Sequence, residues 1–511
     1  MLTHVLSAIA GQDRRARDFT YSVLRDAIRE TIACFPVYRT YVDERGNMNE
    51  RDRRYVLQAI ARAKRRNEIM APAVFDFLQS ILLLKGNDSG ATIYGYSKQL
   101  YFTLKFQQLT GPVMAKGLED TACYVYTRFI SVNEVGGSPG NFGIPVAEFH
   151  HGNQLRAEYW PNSMLATSTH DSKRSEDVRA RLDVLSEMPR NWAPQVMKWR
   201  RINRNRKFEM PDERSVPDNN EEYLLYQTLV GAWPFRMDSE EEWLNFVGRI
   251  KQYMEKAVHE AKINVSWLNP NPEYVAGISK FIEAILSPTY RGKTNLFWDS
   301  MQKFLPAVQY FGAINSLTQT LLKLTSPGVP DIYQGLEFWD FSLVDPDNRR
   351  PVDFDLRERA LQQLTGGSHS DDLLGLCQQL LRDYQDGRIK LWATMQTLNY
   401  RREHAELFRA GKYIPLQANR GKEDYVVAFA RVRPGEAAIV VAPRLSYTLM
   451  KGNMEPPLAA AWNDSELVLP PEVKGGQWHN IFTGEVLTVA ERVPLCREIF
   501  AHFPVALFSV R

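Results

Sequence analysis

A chain of 511 residues is too long for one simple core and implies two or three domains. Its 63 Lys and Arg stand against 60 Asp and Glu, a formal charge of +3. So small a surplus excludes a field that would draw nucleic acid or a membrane surface, and neither is expected as a partner. With 44% hydrophobic and 24% charged residues, the composition is that of a soluble globular protein.

Four cysteines, Cys34, Cys123, Cys377 and Cys496, lie far apart. Their spacing suits neither a metal site nor a disulfide framework, and a reducing cytoplasm fits best. The N-terminal stretch lacks the basic start and sustained apolar core of a signal peptide. No uninterrupted apolar run reaches the roughly 18 residues of a membrane span.

In chain order, "LSAIAGQDRRARDFTYSVLRDAIRETIACF" reads as the middle of a helical region, with no turn or cap before it. Residues 18–33 carry apolar positions at helical spacing, and "CFPVYRTYV" (34–42) switches to strand-like residues, a helix feeding a strand. Residues 49–85 return to helix. The basic run "ARAKRRNE" is a solvated face there, opposite an apolar face through Ile69, Val74, Phe75, Phe77 and Leu78. "QQLTGPVMAKGLEDTACYVYTRF" (107–129) follows, and then the loop "NEVGGSPGNFG" (133–143). With no strand before it and no GKS-type residues after it, that loop is read as flexible rather than phosphate-binding.

"MLATSTHDSKRSEDVRARL" (164–182) starts as a short apolar run, turns to hydroxyl residues, and then sets His170 beside Asp171. Residues 180–320 read as largely helical, broken at "PDERSVPDNN" (211–220). "SPGVPDIYQGLEFWDFSLVDPDNRRPVDF" (326–354) reads as a short strand entering a polar loop. Helical signals continue to about 409. From about 412 the period becomes two, which predicts an all-β domain to the end of the chain.

Functional residues of α/β folds lie past the carboxyl ends of parallel strands. "VYRTY", "LATSTHD" and "VPDIYQGLE" are three such ends, each followed by dense polar sequence. Singly each is weak. Ser168 to Asp171 could cap the helix through Val178 and Leu182, and "DPDNRRPVDF" could be a solvated turn. Tyr, Trp and Asp in the same loops favour a hydroxyl-rich ligand, which takes polar acceptors at its edges and aromatic faces against its C–H surface. The sequence contains no phosphate loop, metal cluster or serine elbow, and no cofactor is expected.

"TSTHDSKRSEDVR", "GPVMAKGLEDTACYVY", "NEVGG" and "SPGVPDIYQGLEFWDFSLVDPDNRRPVDF" together resemble the maltooligosyl trehalose synthases of the α-amylase superfamily, in the family's order. The resemblance extends through "PVALF" near the C-terminus. It implies an α/β chain: a partial (β/α)8 barrel, about strands six to eight, with large helical insertions and a C-terminal all-β domain. The implied boundaries are 1–44 (helix and strand six), 45–145 (helical insertion), 146–411 (strands seven and eight with a helical insertion) and 412–511 (β-domain).

In such a barrel an HD pair follows strand seven. The resemblance implies that Asp171 stabilises an oxocarbenium-like transition state and that His170 bonds hydroxyls of the same sugar. Lys173 and Arg174 would project toward the neighbouring sugar. Tyr333, Gln334, Asp347, Asn348 and Arg349 are the candidates after strand eight, and Lys116, Glu119 and Asp120 are further pocket candidates. The implied reaction converts the reducing-end α-1,4 bond of a maltooligosaccharide into an α,α-1,1 bond by double displacement. Two carboxyl groups about 5–5.5 Å apart act as nucleophile and acid. The family carries both after strands four and five, and no counterpart is found upstream of "CFPVYRTYV". The expectation is therefore a C-terminal portion, inactive alone, whose partner is the missing N-terminal half. The alternative is a non-catalytic remnant that binds α-glucan. Were the chain active by itself, Glu119, Asp120 and Glu337 would be the next carboxylates to test.

Overall fold

The computed structural model describes residues 1–85, 93–368, 372–473, 476–489 and 494–510. The chain divides into two compact units, Met1–Ala122 and Cys123–Arg511. Among the described residues no helix is long and apolar enough to cross a membrane.

The first unit is helical: Leu2–Ala10, Tyr21–Ala33, Glu50–Arg66, Pro72–Leu82 and Ile93–Met114. The helix starts follow the sequence. Thr20 accepts from the Val23 N–H at 3.4 Å, Asn49 accepts from the Asp52 N–H at 2.7 Å, and Pro72 opens the fourth helix. Leu6, Leu24, Ile60, Phe75, Leu78, Phe102 and Phe106 are among the residues that fill the core between these helices. Each such side chain contributes about 1.5–3 kcal/mol by burial. Lys64, Arg65 and Arg66 close the third helix, where cations suit the carbonyl end.

Two readings of this region need correction. Ile69 is not on the apolar face; it lies on the turn between the third and fourth helices, 102% exposed. Residues 34–42 are not a strand, because no described residue pairs with them in a ladder. Side chains satisfy their backbone instead. The Tyr41 N–H donates to Asp52 at 2.7 Å, the Val42 N–H donates to Gln107 Oε1 at 3.0 Å, and Gln107 Nε2 donates to the Val42 carbonyl at 2.8 Å.

The second unit joins a helical part to a β-domain. Two short strands, Met164–Leu165 and Val329–Pro330, pair in parallel. Between them in the chain run helices Glu176–Glu187, Pro189–Asn203, Asn219–Ala232, Glu240–Ala261, Pro272–Leu286 and Leu296–Thr325. The break at 211–220 is a small hairpin, Phe208–Glu209 with Ser215–Val216. Helix Leu296–Thr325 lies against Glu176–Glu187 because Gly312 has no side chain. A Cβ there would stand 2.5 Å from Cγ of the buried Arg181.

From Lys412 onward the chain forms a seven-stranded antiparallel sheet, the C-terminal β-domain that the period of two predicts. Its three longest strands, Lys412–Ala418, Val426–Arg433 and Glu436–Pro443, are neighbours, and Ala506–Val510 follows Glu436–Pro443. Alternation divides the third of these cleanly. Ala438, Val440 and Ala442 pack with Trp392, Phe408 and Leu321 of the helical part. Ala437, Ile439 and Val441 face Trp462, Trp478 and Phe500. Both faces are buried, which is why "AAIVVAP" is an unbroken apolar run.

Helix Val146–Tyr159 docks on this sheet through His150, whose Nδ1 is 2.8 Å from the Tyr413 hydroxyl. Burial pushes the His150 pKa below the usual 6.5, and among the described residues its buried Nε2 meets no hydrogen-bond partner for a second proton. The unfolded chain therefore takes the proton more readily than the folded one. Stability should fall as pH drops below about 6.5. Replacing His150 with Phe should flatten that dependence in thermal melts between pH 7.5 and 5.5; an unchanged slope would rule His150 out as its source.

Candidate functional site

The parallel pair delivers two loops to one place. Gly328, at φ +122°, lets the second strand approach the first; a Cβ there would lie 2.8 Å from the Ser163 carbonyl oxygen. The Val329 N–H then donates to the Ser163 carbonyl at 2.9 Å, and the Asp331 N–H donates to that of Leu165 at 2.8 Å. Past the first strand stand Thr169, His170 and Asp171; past the second stand Tyr333 and, further on, Asn348 and Arg349.

These residues meet. Asn348 Nδ2 donates to the His170 carbonyl at 3.0 Å, and the Tyr333 hydroxyl donates to the Asn348 carbonyl at 3.1 Å. His170 Nε2 lies 3.2 Å from Asp171 Oδ2, and an Arg349 amine lies 4.0 Å from Asp171 Oδ1. The His170 and Asp171 side chains are 64% and 62% exposed, so ion pairing contributes about 0–1 kcal/mol here. Their positions come from the backbone: the Asp171 N–H donates to Thr169 Oγ1 at 3.2 Å. Neither residue caps the following helix. Ser175 is its N-cap, while the Ser168 hydroxyl accepts from the Glu176 N–H at 2.8 Å.

Beneath the exposed pair lies a buried ionic cluster that sequence reading missed. Lys390, fully buried, donates to Glu176 Oε1 at 2.8 Å and to both Asp177 oxygens at 2.9 and 3.0 Å. Glu176 also accepts from Lys323 at 3.2 Å and from the Thr167 hydroxyl of the first loop. Asp177 accepts from the Asp340 N–H of the second loop at 2.7 Å. One ammonium thus ties both strand-end loops to a common core. Burial works against the charge of Glu176, but Lys390 and Lys323 outweigh it and hold its pKa down at about 2. Glu134, from the loop read as flexible, belongs to the same support. It accepts from the Lys173 N–H at 2.8 Å and from Arg179 at 3.0 Å. No sequence pattern singles out this cluster: Glu176 and Asp177 follow the Ser175 N-cap as ordinary first-turn acids.

Other candidates sit elsewhere. Arg174 does not project toward a ligand. It is 1% exposed, with its guanidinium on the Ile130 and Asn133 carbonyls at 3.2 and 3.3 Å and on the Tyr253 hydroxyl at 2.8 Å. Lys173 is buried too, its Nζ 5.9 Å from the centre of the Tyr124 ring. Asp347 turns inward onto Arg249, at 2.7 and 2.8 Å, and accepts from the Leu343 N–H at 2.8 Å. Burial works against its charge, but Arg249 and Arg350 hold its pKa below the usual carboxylate range. Gln334 is exposed. Lys116, Glu119 and Asp120 belong to the first unit, on a wide π-helical turn, Ala115–Ala122, a form that often marks functional sites. Lys116 pairs with Asp120 at 2.6 Å, and the Tyr38 hydroxyl donates to Glu119.

A parallel strand pair whose carboxyl ends bring together an imidazole, a carboxylate, an amide, a guanidinium and a phenol makes a candidate site of the α/β strand-end class, with side chains suited to polyhydroxylated ligands. No family model matches the chain. A maltooligosyl trehalose synthase by name from Mycobacterium tuberculosis strain CDC 1551 is 36% identical over 405 residues, 79% of this chain and 45% of that protein. The structure of maltooligosyltrehalose synthase from Arthrobacter ramosus superposes with a TM-score of 0.74 at 29% identity, covering 100% of this chain and 60% of that one. A Sulfolobus tokodaii structure, titled a hypothetical maltooligosyl trehalose synthase, gives 0.65 at 26% identity, covering 99% and 58%. Over the length it shares with them, the chain is homologous to the maltooligosyl trehalose synthases. It spans about half the length of the curated relatives it matches.

Proposed function

We propose that this chain forms the sugar-binding, C-terminal part of a maltooligosyl trehalose synthase. The observation that carries this is the meeting of His170 and Asp171 with Tyr333, Asn348 and Arg349 at two parallel strand ends, in a chain homologous to those synthases. The substrate is a maltooligosaccharide, and the reaction is an intramolecular transglycosylation that turns its reducing-end α-1,4 bond into an α,α-1,1 bond. Asp171, exposed and negative, stabilises the oxocarbenium-like centre, while His170 and Asn348 bond sugar hydroxyls. Gln334, exposed after the second strand, would bond the same ligand, and the inward-facing Lys173, Arg174 and Asp347 shape the loops that hold it. Segment 146–411 carries the barrel part and 412–511 the β-domain.

A double displacement needs a nucleophile and an acid besides Asp171. The proposal places both in the portion of the relatives that this chain does not match. Turnover should therefore appear when the chain is combined with the N-terminal portion of a homologous synthase. Maltopentaose would then lose reducing ends and yield a non-reducing product. No product from the mixture would overturn the proposal. Product from the chain alone would overturn the division of carboxylates and direct attention to Glu119, Asp120 and Glu337. The partial span of the relatives also favours a second reading, a glucan-binding chain without catalysis, which predicts binding in the mixture without product.

A further inference from the structure

A second cleft in the Cys123–Arg511 unit has no part in the strand-end site. It encloses about 690 Å³, within the range of about 300–1,000 Å³ that holds small ligands, and none of its lining residues comes from the two loops. Trp243 and Trp298 form its wall, their ring centroids 4.6 Å apart and their planes at 87°, with Trp233 packed behind Trp298 at 5.2 Å. Arg236, Glu240 and Gln302 stand exposed at its edge.

The cleft is preformed. Its floor is the Trp233–Met237 segment between two helices, where carbonyls would otherwise lack partners. The buried Arg181 donates to the Gly231 and Trp233 carbonyls, and the buried Gln309 donates to that of Pro234 at 3.1 Å. Trp243 and Trp298 are only half-buried and both line the cleft.

From this geometry we infer that the cleft is a second binding site for an α-1,4-glucan, with none of its lining residues drawn from the strand-end loops. Indole faces take the C–H side of a pyranose, and a guanidinium, a carboxylate and an amide serve its hydroxyls. The choice of an α-glucan rests on the proposed function; the existence of a sugar site in the cleft does not.

The test is calorimetric titration of the 511-residue chain with maltoheptaose and, in parallel, cellohexaose. Trp298→Ala should weaken maltoheptaose binding about tenfold or more, the equivalent of one lost stacking contact. The surface pair Arg236→Ala/Gln302→Ala, which disturbs no packing, should weaken it about tenfold as well. Tyr333→Ala should leave this binding in place. A titration lost with Tyr333→Ala but unchanged in both cleft variants would overturn the inference, because the signal would then belong to the strand-end site. Absence of maltoheptaose binding to the unaltered chain would overturn it too, and so would equal binding of cellohexaose. Product formation in the reconstituted mixture is a separate readout, so the proposed function stands or falls independently.

Discussion

Lys390→Met should destabilise the chain by about 3–5 kcal/mol, read as a lower urea midpoint in tryptophan fluorescence, because it leaves a buried carboxylate without its cation. Lys390 reaches Glu176 and both oxygens of Asp177, and all three side chains are 0–1% exposed. Burial works against the Lys390 ammonium, yet the attraction of Asp177 and Glu176 outweighs it and keeps its pKa up. Asp177 shows the opposite balance, for burial raises its pKa even with Lys390 in contact. Two lysines facing two carboxylates balance the charge, and we take the ionised pair as the native state. Without Lys390, Glu176 keeps Lys323 and Thr167, while Asp177 keeps the Asp340 N–H and only the more distant charges of Lys323 and Arg181. Its pKa then rises further. A carboxyl raised in the folded state favours folding at low pH and loses that contribution as pH rises, so the variant's deficit should be smaller at pH 5 than at pH 8. Adding Asp177→Leu should restore part of the loss, since removing a buried pair costs less than breaking it. Equal midpoints for Lys390→Met and the unaltered chain would show that the cluster does not hold the loops.

How the loops are held was the part least legible in the sequence. The strand ends at "LATSTHD" and "VPDIYQG" could be read because an apolar run stopped at hydroxyl and carboxylate residues, and the structure pairs those runs in parallel. The β-domain was equally legible, since "YVVAFARV" and "AAIVVAP" are rich in β-branched and small residues. What failed was side-chain direction. "KRSED" is a dense run of charges in which Arg174 is expected to face a sugar, yet Arg174, Glu176 and Asp177 are all buried. Their partners, Tyr253 and Lys390, lie 79 and 213 positions away in sequence. Asp347 likewise turns inward to Arg249, 98 positions distant. Periodicity reports which face of an element is apolar, but it carries no information on which distant cation meets a given carboxylate. "VYRTY" failed for a related reason: strand-like residues form a strand only where a neighbour supplies the ladder, and here Gln107 and Asp52 took that role.

In the reconstituted mixture, Asp171→Asn should lower kcat by about 10²–10³-fold with little change in KM, the effect of deleting a charge that acts mainly on the transition state. The substitution keeps the shape of the side chain. It does not unsettle the loop, because Asp171 is 62% exposed and is fixed by its own backbone N–H on Thr169. Its ion pairs are no source of stability either. Arg349 stands 4.0 Å away in solvent, and an exposed contact of that kind contributes about 0–1 kcal/mol. The melting profile should therefore be unchanged, which separates this variant from Lys390→Met. His170→Ala should act less strongly and on KM as well, since a hydroxyl contact serves ground state and transition state alike. Should Asp171→Asn raise KM and spare kcat, the carboxylate would be a binding group, and the charge opposite the oxocarbenium centre would have to come from another residue. Should it change neither, the strand-end pair would not be the reacting site, however well its two loops converge.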